Sequence, residues 1–483
     1  MQGRMSVVWA ARAGPVARAT LSQAHVVAAV LALPCAVAAV ERAWTLAGAL
    51  GLPLAVTLAG AAAAWRMDPP RDLRAIEAAA VFVLLFAGTA AAAVPGYLAL
   101  GLGPVDALFE SVSAITSTGL TVATGTMDWP LAGHALRAWM QWAGGFAIAV
   151  AGVALILGPG AARATAASLG RTGVPARDIL SSTRAQARRL LKVYLAITAV
   201  AVAAFLPLFP AWWEAAAVAL AAVSTGGMTP RPDSLESYSR AAQGAALLAC
   251  LATAVSLMAY VEAGRSGPRA ALQETNPGLV LALVLGAAAT AAGLTLALGE
   301  GVAAATDAAF NMASGATTAG FSVAPLGPAP AVMALILGAM LVGGGAGSTA
   351  GGLKVERAAL LARMVGVTLL RLRAPPGAVA PLEVQGARIG ADRLTALGAV
   401  LFLYAASALA CWVALTAGGV APMPALFDTV SALSTVGLSL GAAGPDLAGP
   451  LKLVLAAAML LGRLDFLVLI AVLSPRTWAP RHG

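Results

Sequence analysis

The chain has 483 residues, 60% of them hydrophobic and only 11% charged, with a mean hydropathy of +0.86. That balance excludes a soluble globular or disordered protein and gives an integral membrane protein. The net charge of +9 does not imply a nucleic-acid partner, because the basic residues sit in loops between apolar runs, where they act as topology signals.

Residues 1–23 carry Arg4, Arg12 and Arg18 and no acid, and an apolar run begins at about 24. A cleaved signal peptide is disfavoured, since the run passes 18 residues and a second hydrophobic segment follows at once. The first two spans are 24–41 and 44–65, followed by Arg66, Arg71 and Arg74. From there a three-part unit occurs four times. Its long opening segments are 75–98, 190–209, 278–299 and 394–417. Shorter runs follow at 105–116, 213–224, 306–317 and 424–434. The closing segments are 134–158, 241–261, 331–372 with an interruption, and 450–473. The long segments can cross a hydrocarbon core of about 30 Å, whereas the short ones cannot and are expected to be re-entrant helices.

Each short run ends in a Ser/Thr–Gly stretch, and the four stretches align on Gly119, Gly227, Gly320 and Gly437, separated by 108, 93 and 117 residues. Three residues before the glycine stand Thr116, Ser224, Thr317 and Ser434; two before, Ser117, Thr225, Thr318 and Thr435. Immediately before it stand Thr118, Gly226, Ala319 and Val436. Unit two offers two glycines, and Gly227 is chosen because Met228 then aligns with Leu120, Phe321 and Leu438. Thirteen residues before the glycine, Asp106, Glu214, Asp307 and Pro424 suit a helix start.

Charge gives an orientation. The loop 159–192 has Arg163, Arg171, Arg177, Arg184, Arg188, Arg189 and Lys192 against Asp178, and 354–393 has seven basic residues against Glu356, Glu383 and Asp392. Regions 98–133, 300–329 and 418–450 contain no Lys or Arg. The positive-inside rule then places both termini in the cytoplasm and the short helices on the outer side, with ten crossings expected.

Backbone leaves a helix inside a bilayer only where it is buried in protein or lines a water-filled cavity. Four such segments around one axis could stack rings of carbonyls that replace the hydration shell of a monovalent cation. Glycine allows unusual φ and close approach there, and the carbonyl ends of the short helices add partial negative charge. With no repeated acidic ring in the stretch, divalent selection is not favoured.

Two further features stand out. Gly343-Gly344-Gly345-Ala346-Gly347-Ser348-Thr349-Ala350-Gly351-Gly352 holds six glycines in ten residues and should break the closing helix of unit three. Arg463 sits about thirteen residues from either end of its run, roughly 20 Å at 1.5 Å per residue, too deep to snorkel. Such an arginine should face protein or a water-filled cavity. Asp465 is a poor partner for it, because i,i+2 residues do not face each other on a helix. Lys452 is expected to be an interface anchor. Cys35, Cys250 and Cys411 lie in apolar segments without metal-ligand spacing, and His25, His134 and His482 stand singly, so no metal or catalytic set is expected.

The four stretches, with Gln141-Trp142-Ala143-Gly144-Gly145, the glycine-rich run through Leu353-Lys354 and Gly462-Arg463-Leu464-Asp465, resemble the Trk/Ktr/HKT superfamily of potassium transporters over residues 24–478. The two extra N-terminal spans make the bacterial TrkH-like branch the nearer match. The resemblance implies an all-α integral membrane protein with two N-terminal transmembrane helices and four helix–pore helix–filter–helix repeats in pseudo-fourfold array. It implies K⁺ as the transported ion, with Gly119 favouring potassium because serine at that place goes with sodium preference. It implies that Gly343 through Gly352 form an intramembrane gate below the filter, and that Arg463 is an electrostatic barrier. It further implies a homodimer in the inner membrane, controlled by a cytoplasmic nucleotide-binding ring of the TrkA/KtrA kind, with 159–192 and 354–393 as docking loops. No cofactor and no enzymatic activity are expected.

The units expected are a cytoplasmic N-terminus 1–23, a two-helix domain 24–74, pore repeats 75–185, 186–275, 276–385 and 386–478, and a tail 479–483. A coupled secondary transporter is the alternative, though such folds usually show two inverted repeats rather than four of one polarity. A membrane enzyme would need a cluster of reactive side chains at one depth.

Overall fold

The computed structural model describes residues 10–67, 73–156, 176–326, 329–375, 382–384 and 387–479. Arg4, Arg71, Arg163, Arg171 and His482 lie outside the described residues. Apart from one antiparallel hairpin of two-residue strands, Glu383–Val384 and Ala387–Arg388, the described secondary structure is helical. Five helices are long and apolar enough to cross a bilayer, or seven if two bent pairs each count as one span. This is a multi-pass membrane protein.

The first unit runs Ala75–Ala99, Pro104–Ile115 and Leu131–Ile156, and the second Ala176–Phe205, Trp212–Val223, then Arg240–Ala254 with Leu257–Ser266. The third runs Pro277–Ala297, Gly301–Ala316, then Pro330–Val342 with Val355–Arg373. The fourth runs Ala391–Ala417, Pro422–Leu433, then Gly449–Arg463 with Phe466–Leu473. Three of the short helices have 12 residues, about 18 Å, less than a bilayer core. Pro104 and Pro422 open two of them where a missing N–H costs nothing, and Asp106 and Glu214 lie in first turns.

Four expectations change. The third short helix starts at Gly301 rather than 306, so Asp307 lies in its second turn and pairs instead with Arg240 at the start of unit two's closing helix. The closing helix of unit two is not continuous: it breaks at Val255–Ser256 and bends by 73°. That of unit four breaks at Leu464–Asp465 and bends by 113°. Asp465 takes a left-handed φ of 65° there, and its carboxylate accepts from Leu467 N at 3.2 Å, capping the new helix. Lys452 is no interface anchor, because it is 5% exposed and its Nζ donates to Asp106 Oδ1 at 2.6 Å and Pro445 O at 2.7 Å. Asp106–Lys452 thus ties unit one to unit four, as Asp307–Arg240 ties unit three to unit two.

The N-terminal helices, Ala13–Ser22 with Ala24–Val40 and Trp44–Trp65, pack on unit one. Glu41 accepts from Leu131 N at 2.9 Å and Ala132 N at 2.7 Å, satisfying donors at the start of unit one's closing helix.

Candidate functional site: a ring of glycine-flanked carbonyls

All four short helices end in the same way. Ser117, Thr225, Thr318 and Thr435 have φ of 50°, 51°, 55° and 49°. Their N–H groups bond three residues back, to Ala114, Ala222, Gly315 and Ala432, at 3.0–3.2 Å. The next N–H in each unit, of Thr118, Gly226, Ala319 and Val436, bonds five back at 2.8–3.0 Å. This is a Schellman end, and its left-handed position normally takes glycine. Threonine there is strained, because a β-branched side chain fits left-handed φ poorly. Retaining Ser or Thr at that cost indicates that the hydroxyls have partners worth keeping. Ser117 Oγ donates to Gln141 O at 2.8 Å, and Thr225 Oγ1 lies 3.2 Å from Thr349 Oγ1. Thr318 Oγ1 accepts from Gly351 N at 2.7 Å, and Thr435 Oγ1 lies 3.4 Å from Arg463 Nη1.

Two residues on, the glycines are left-handed again: Gly119, Gly227, Gly320 and Gly437 have φ of 94°, 74°, 73° and 98°. In unit two it is Gly227 and not Gly226 that takes this conformation. The four meet in a closed cycle. A Cβ on Gly119 would lie 2.5 Å from Gly226 O, one on Gly227 2.5 Å from Ala319 O, one on Gly320 1.9 Å from Val436 O, and one on Gly437 2.3 Å from Thr118 O. Each glycine therefore abuts the carbonyl that precedes the next unit's glycine, and the fourth unit closes on the first. At each of the four positions a Cβ would force the neighbouring carbonyl or the backbone to shift, and carbonyl oxygens gather around one axis. Such a ring can coordinate a dehydrated monovalent cation.

Below the ring, the glycine-rich run leaves helix between Val342 and Val355, with left-handed φ at Gly343, Gly347 and Gly352. Its backbone bonds the break in unit two: Gly345 N to Ala254 O at 2.9 Å, Thr349 N to Thr253 O at 3.3 Å, and Leu257 N to Gly347 O at 3.1 Å. Groups freed by two broken helices thus satisfy one another. Gly352 N bonds Ser434 O at 3.0 Å, and a Cβ on Gly351 would lie 2.0 Å from the same oxygen. Glu356 accepts from Ala346 N at 2.9 Å. Gly344, Ser348 and Ala350 are buried within this packing. The loop therefore touches the stretches of units two, three and four.

Arg463 ends its helix instead of standing mid-span, and is 5% exposed. Beyond the long contact to Thr435, its Nε and Nη2 have no hydrogen-bond partner among the described residues. Asp465 pairs with Arg357, at 3.2 Å, and not with Arg463. Gly462 and Gly144 have a packing role. A Cβ on Gly462 would lie 1.8 Å from Leu433 O, and one on Gly144 1.8 Å from Ile115 O, equivalent carbonyls at the ends of the fourth and first short helices.

The left-handed threonines and the breaks at Ser256 and Asp465 are not visible in the sequence reading. Neither is the role of Gln141, whose Oε1 accepts from Met228 N at 2.9 Å.

Residues 96–259 and 295–477 match the family model of TrkH, cation transport protein. The chain is 30% identical over 401 residues to the Trk system potassium uptake protein TrkH of Halomonas elongata, covering 79% of this chain and 80% of that one. It is 28% identical over 391 residues to the protein of the same name from Vibrio parahaemolyticus, covering 77% and 79%. The crystal structure of the potassium transporter TrkH from Vibrio parahaemolyticus superposes with a TM-score of 0.83 at 25% identity, over 97% of this chain and all of that one. With both halves of the pore matched and the ring closed by all four units, this chain belongs to the TrkH cation transport family.

Proposed function

We propose that the chain takes up K⁺ across the bacterial inner membrane through a single-chain pore. Residues 116–119, 224–227, 317–320 and 434–437 form its filter, and residues 343–352 with Arg463 form its gate. The observation that carries this reading is the closed cycle in which each of four glycines abuts the carbonyl before the next. A ring of that kind offers oxygen ligands of fixed spacing and no fixed charge, suited to a monovalent ion that sheds its water. The two relatives named as potassium uptake proteins support K⁺ as that ion. Both termini face the cytoplasm, each protomer of a homodimer holds one pore, and a cytoplasmic nucleotide-binding ring acts on the basic faces at 159–192 and 354–393. The pore units divide at the boundaries given from the sequence.

Uptake of radiolabelled Rb⁺ into proteoliposomes, with K⁺ and Na⁺ as competitors, tests the reading. Wild type should be blocked by K⁺ far better than by Na⁺. Gly119→Ser puts a side chain 2.5 Å from Gly226 O and should cut that preference by about tenfold or more, the loss of roughly 1.4 kcal/mol of discrimination. Absence of cation flux from folded protein, even with the cytoplasmic ring supplied, would defeat it.

A further inference from the structure

A second register lies nine residues before each ring glycine: Glu110, Val218, Asn311 and Asp428. All four are buried, and three are polar. Glu110 Oε1 accepts from Val122 N at 2.7 Å, Ala123 N at 3.2 Å and Thr121 Oγ1 at 2.6 Å. Asp428 accepts from Leu440 N at 2.8 Å, Ala443 N at 2.7 Å and Ser439 Oγ at 2.6 Å. Asn311 Oδ1 accepts from Val323 N at 3.1 Å, while its Nδ2 donates to Ala324 O at 3.1 Å. Val122, Val323 and Leu440 each stand three residues after their ring glycine, so one bond recurs in three units.

The residue types follow from the partners. A carboxylate only accepts, and it stands where every partner donates; an amide does both, and it stands where one partner donates and one accepts. Unit two completes the logic. Three residues after Gly227 stands Pro230, which has no N–H to offer, and the residue nine before is the apolar Val218. There the chain after the glycine is held from the neighbouring unit. Gln141 Oε1 accepts from Met228 N at 2.9 Å, and Arg137 Nη1 donates to Thr229 O at 3.4 Å.

We infer that Glu110, Asn311 and Asp428, with Gln141 serving unit two, are positioning residues for ion selection. They anchor the chain immediately beyond each ring glycine, and so fix the ring's diameter without touching the ion. The stretch below each glycine is held by the helix end and the stretch above it by this clamp, so the carbonyl just before the glycine cannot relax toward a smaller ion. The selectivity part of this inference rests on the K⁺ reading above; the clamp itself does not.

The test is Asp428→Asn, which turns an NH₂ group toward donors, and Asn311→Asp, which turns a carboxylate toward Ala324 O. Each should lower the preference for K⁺ over Na⁺ in Rb⁺ uptake by about tenfold, the size expected for one mispaired buried group. Asp428→Glu, which keeps an acceptor-only group, should retain most of the preference. Exposed Asp446→Asn makes the same charge change outside the clamp and should leave the preference intact. Hydrogen–deuterium exchange of the peptide 437–445 gives a readout independent of transport, and should rise in Asp428→Asn but not in Asp446→Asn. Should Asp428→Asn fail to fold, Ser439→Ala removes one bond and should lower the preference about two- to threefold. Unchanged exchange and unchanged preference in folded Asp428→Asn, or in Ser439→Ala as its substitute, would overturn the inference. Raised exchange in a protein whose wild type passes no Rb⁺ would strike the transport reading and leave the clamp standing.

Discussion

The ring of glycines and the layer beneath it are held by the same four short helices, yet only the ring repeats. At the ring, four left-handed glycines meet four carbonyls in an unbroken cycle. Beneath it, the four equivalent hydroxyls meet four different partners: the backbone of Gln141, the hydroxyl of Thr349, the N–H of Gly351 and the guanidinium of Arg463. Near-fourfold geometry suits a task in which every unit presents the same ligand to a spherical ion. Uneven geometry suits a task with two states, because a loop bonded to the stretches of units two, three and four, and among the described residues not to that of unit one, can leave without dismantling the ring. On the proposed function, ion choice falls to the ring and access to the layer beneath it.

The separation is broken most severely at Gly320. Alanine there would place Cβ 1.9 Å from Val436 O at a φ of 73°, against backbone atoms of Val436 and Gly437 and no flexible side chain that could yield. Gly320→Ala should abolish K⁺-selective uptake, while Gly338→Ala, whose Cβ meets nothing within 4 Å, should leave uptake unchanged. Rb⁺ uptake with Na⁺ competition compares the two, and equal effects would mean that the ring has no special part.

Next in size is Arg463→Ala, which leaves the ring intact and removes the buried charge beneath it. On the proposed reading, in which Arg463 faces the ion path, one charge contributes a barrier of about 2 kcal/mol at a separation of roughly 8 Å and an effective dielectric of about 20. Flux should therefore rise more than tenfold, with the K⁺ over Na⁺ preference kept. Arg463→Lys should stay slow. A fall in flux in folded Arg463→Ala would place the arginine among the structural residues instead.

How much of this could be seen in the sequence depends on whether a feature marks composition. The short helices show as apolar runs too short to span, and the break at Gly343 through Gly352 shows because glycine itself marks it. Ser256 and Asp465 leave no such mark. The apolar runs continue through both; the backbone groups freed at Ser256 are satisfied by the distant Gly345 and Gly347, and the Asp465 side chain pairs with the distant Arg357. Lys452 looks like a surface anchor because its partner, Asp106, is 346 residues away in the chain. The left-handed Thr225, Thr318 and Thr435 run against local preference, so no propensity argument finds them. The clamp register was within reach of the glycine alignment, but Glu, Val, Asn and Asp share no residue type; only the donors and acceptors they face give them a common purpose.

The smallest expected effect lies at the seam between the two layers. Thr318→Val keeps the β-branch, so the left-handed strain at 318 is unchanged, but it removes the acceptor for Gly351 N. A buried N–H without a partner costs, at the lower end of its range, about 1 kcal/mol, and that cost falls only on the state in which the loop is seated. The seated state is thereby disfavoured, and basal Rb⁺ uptake should rise about fivefold for each 1 kcal/mol, with ion preference intact. Thr225→Val is the companion measurement. Its partner Thr349 Oγ1 still reaches Val223 O and Thr253 O at 3.3 Å, so no loop donor is orphaned and uptake should barely move. If both variants raise uptake alike, the loop is held by packing alone and the hydroxyl at 318 has no hold on it. If Thr318→Val changes ion preference instead of rate, the two layers are coupled and the division of labour between them fails.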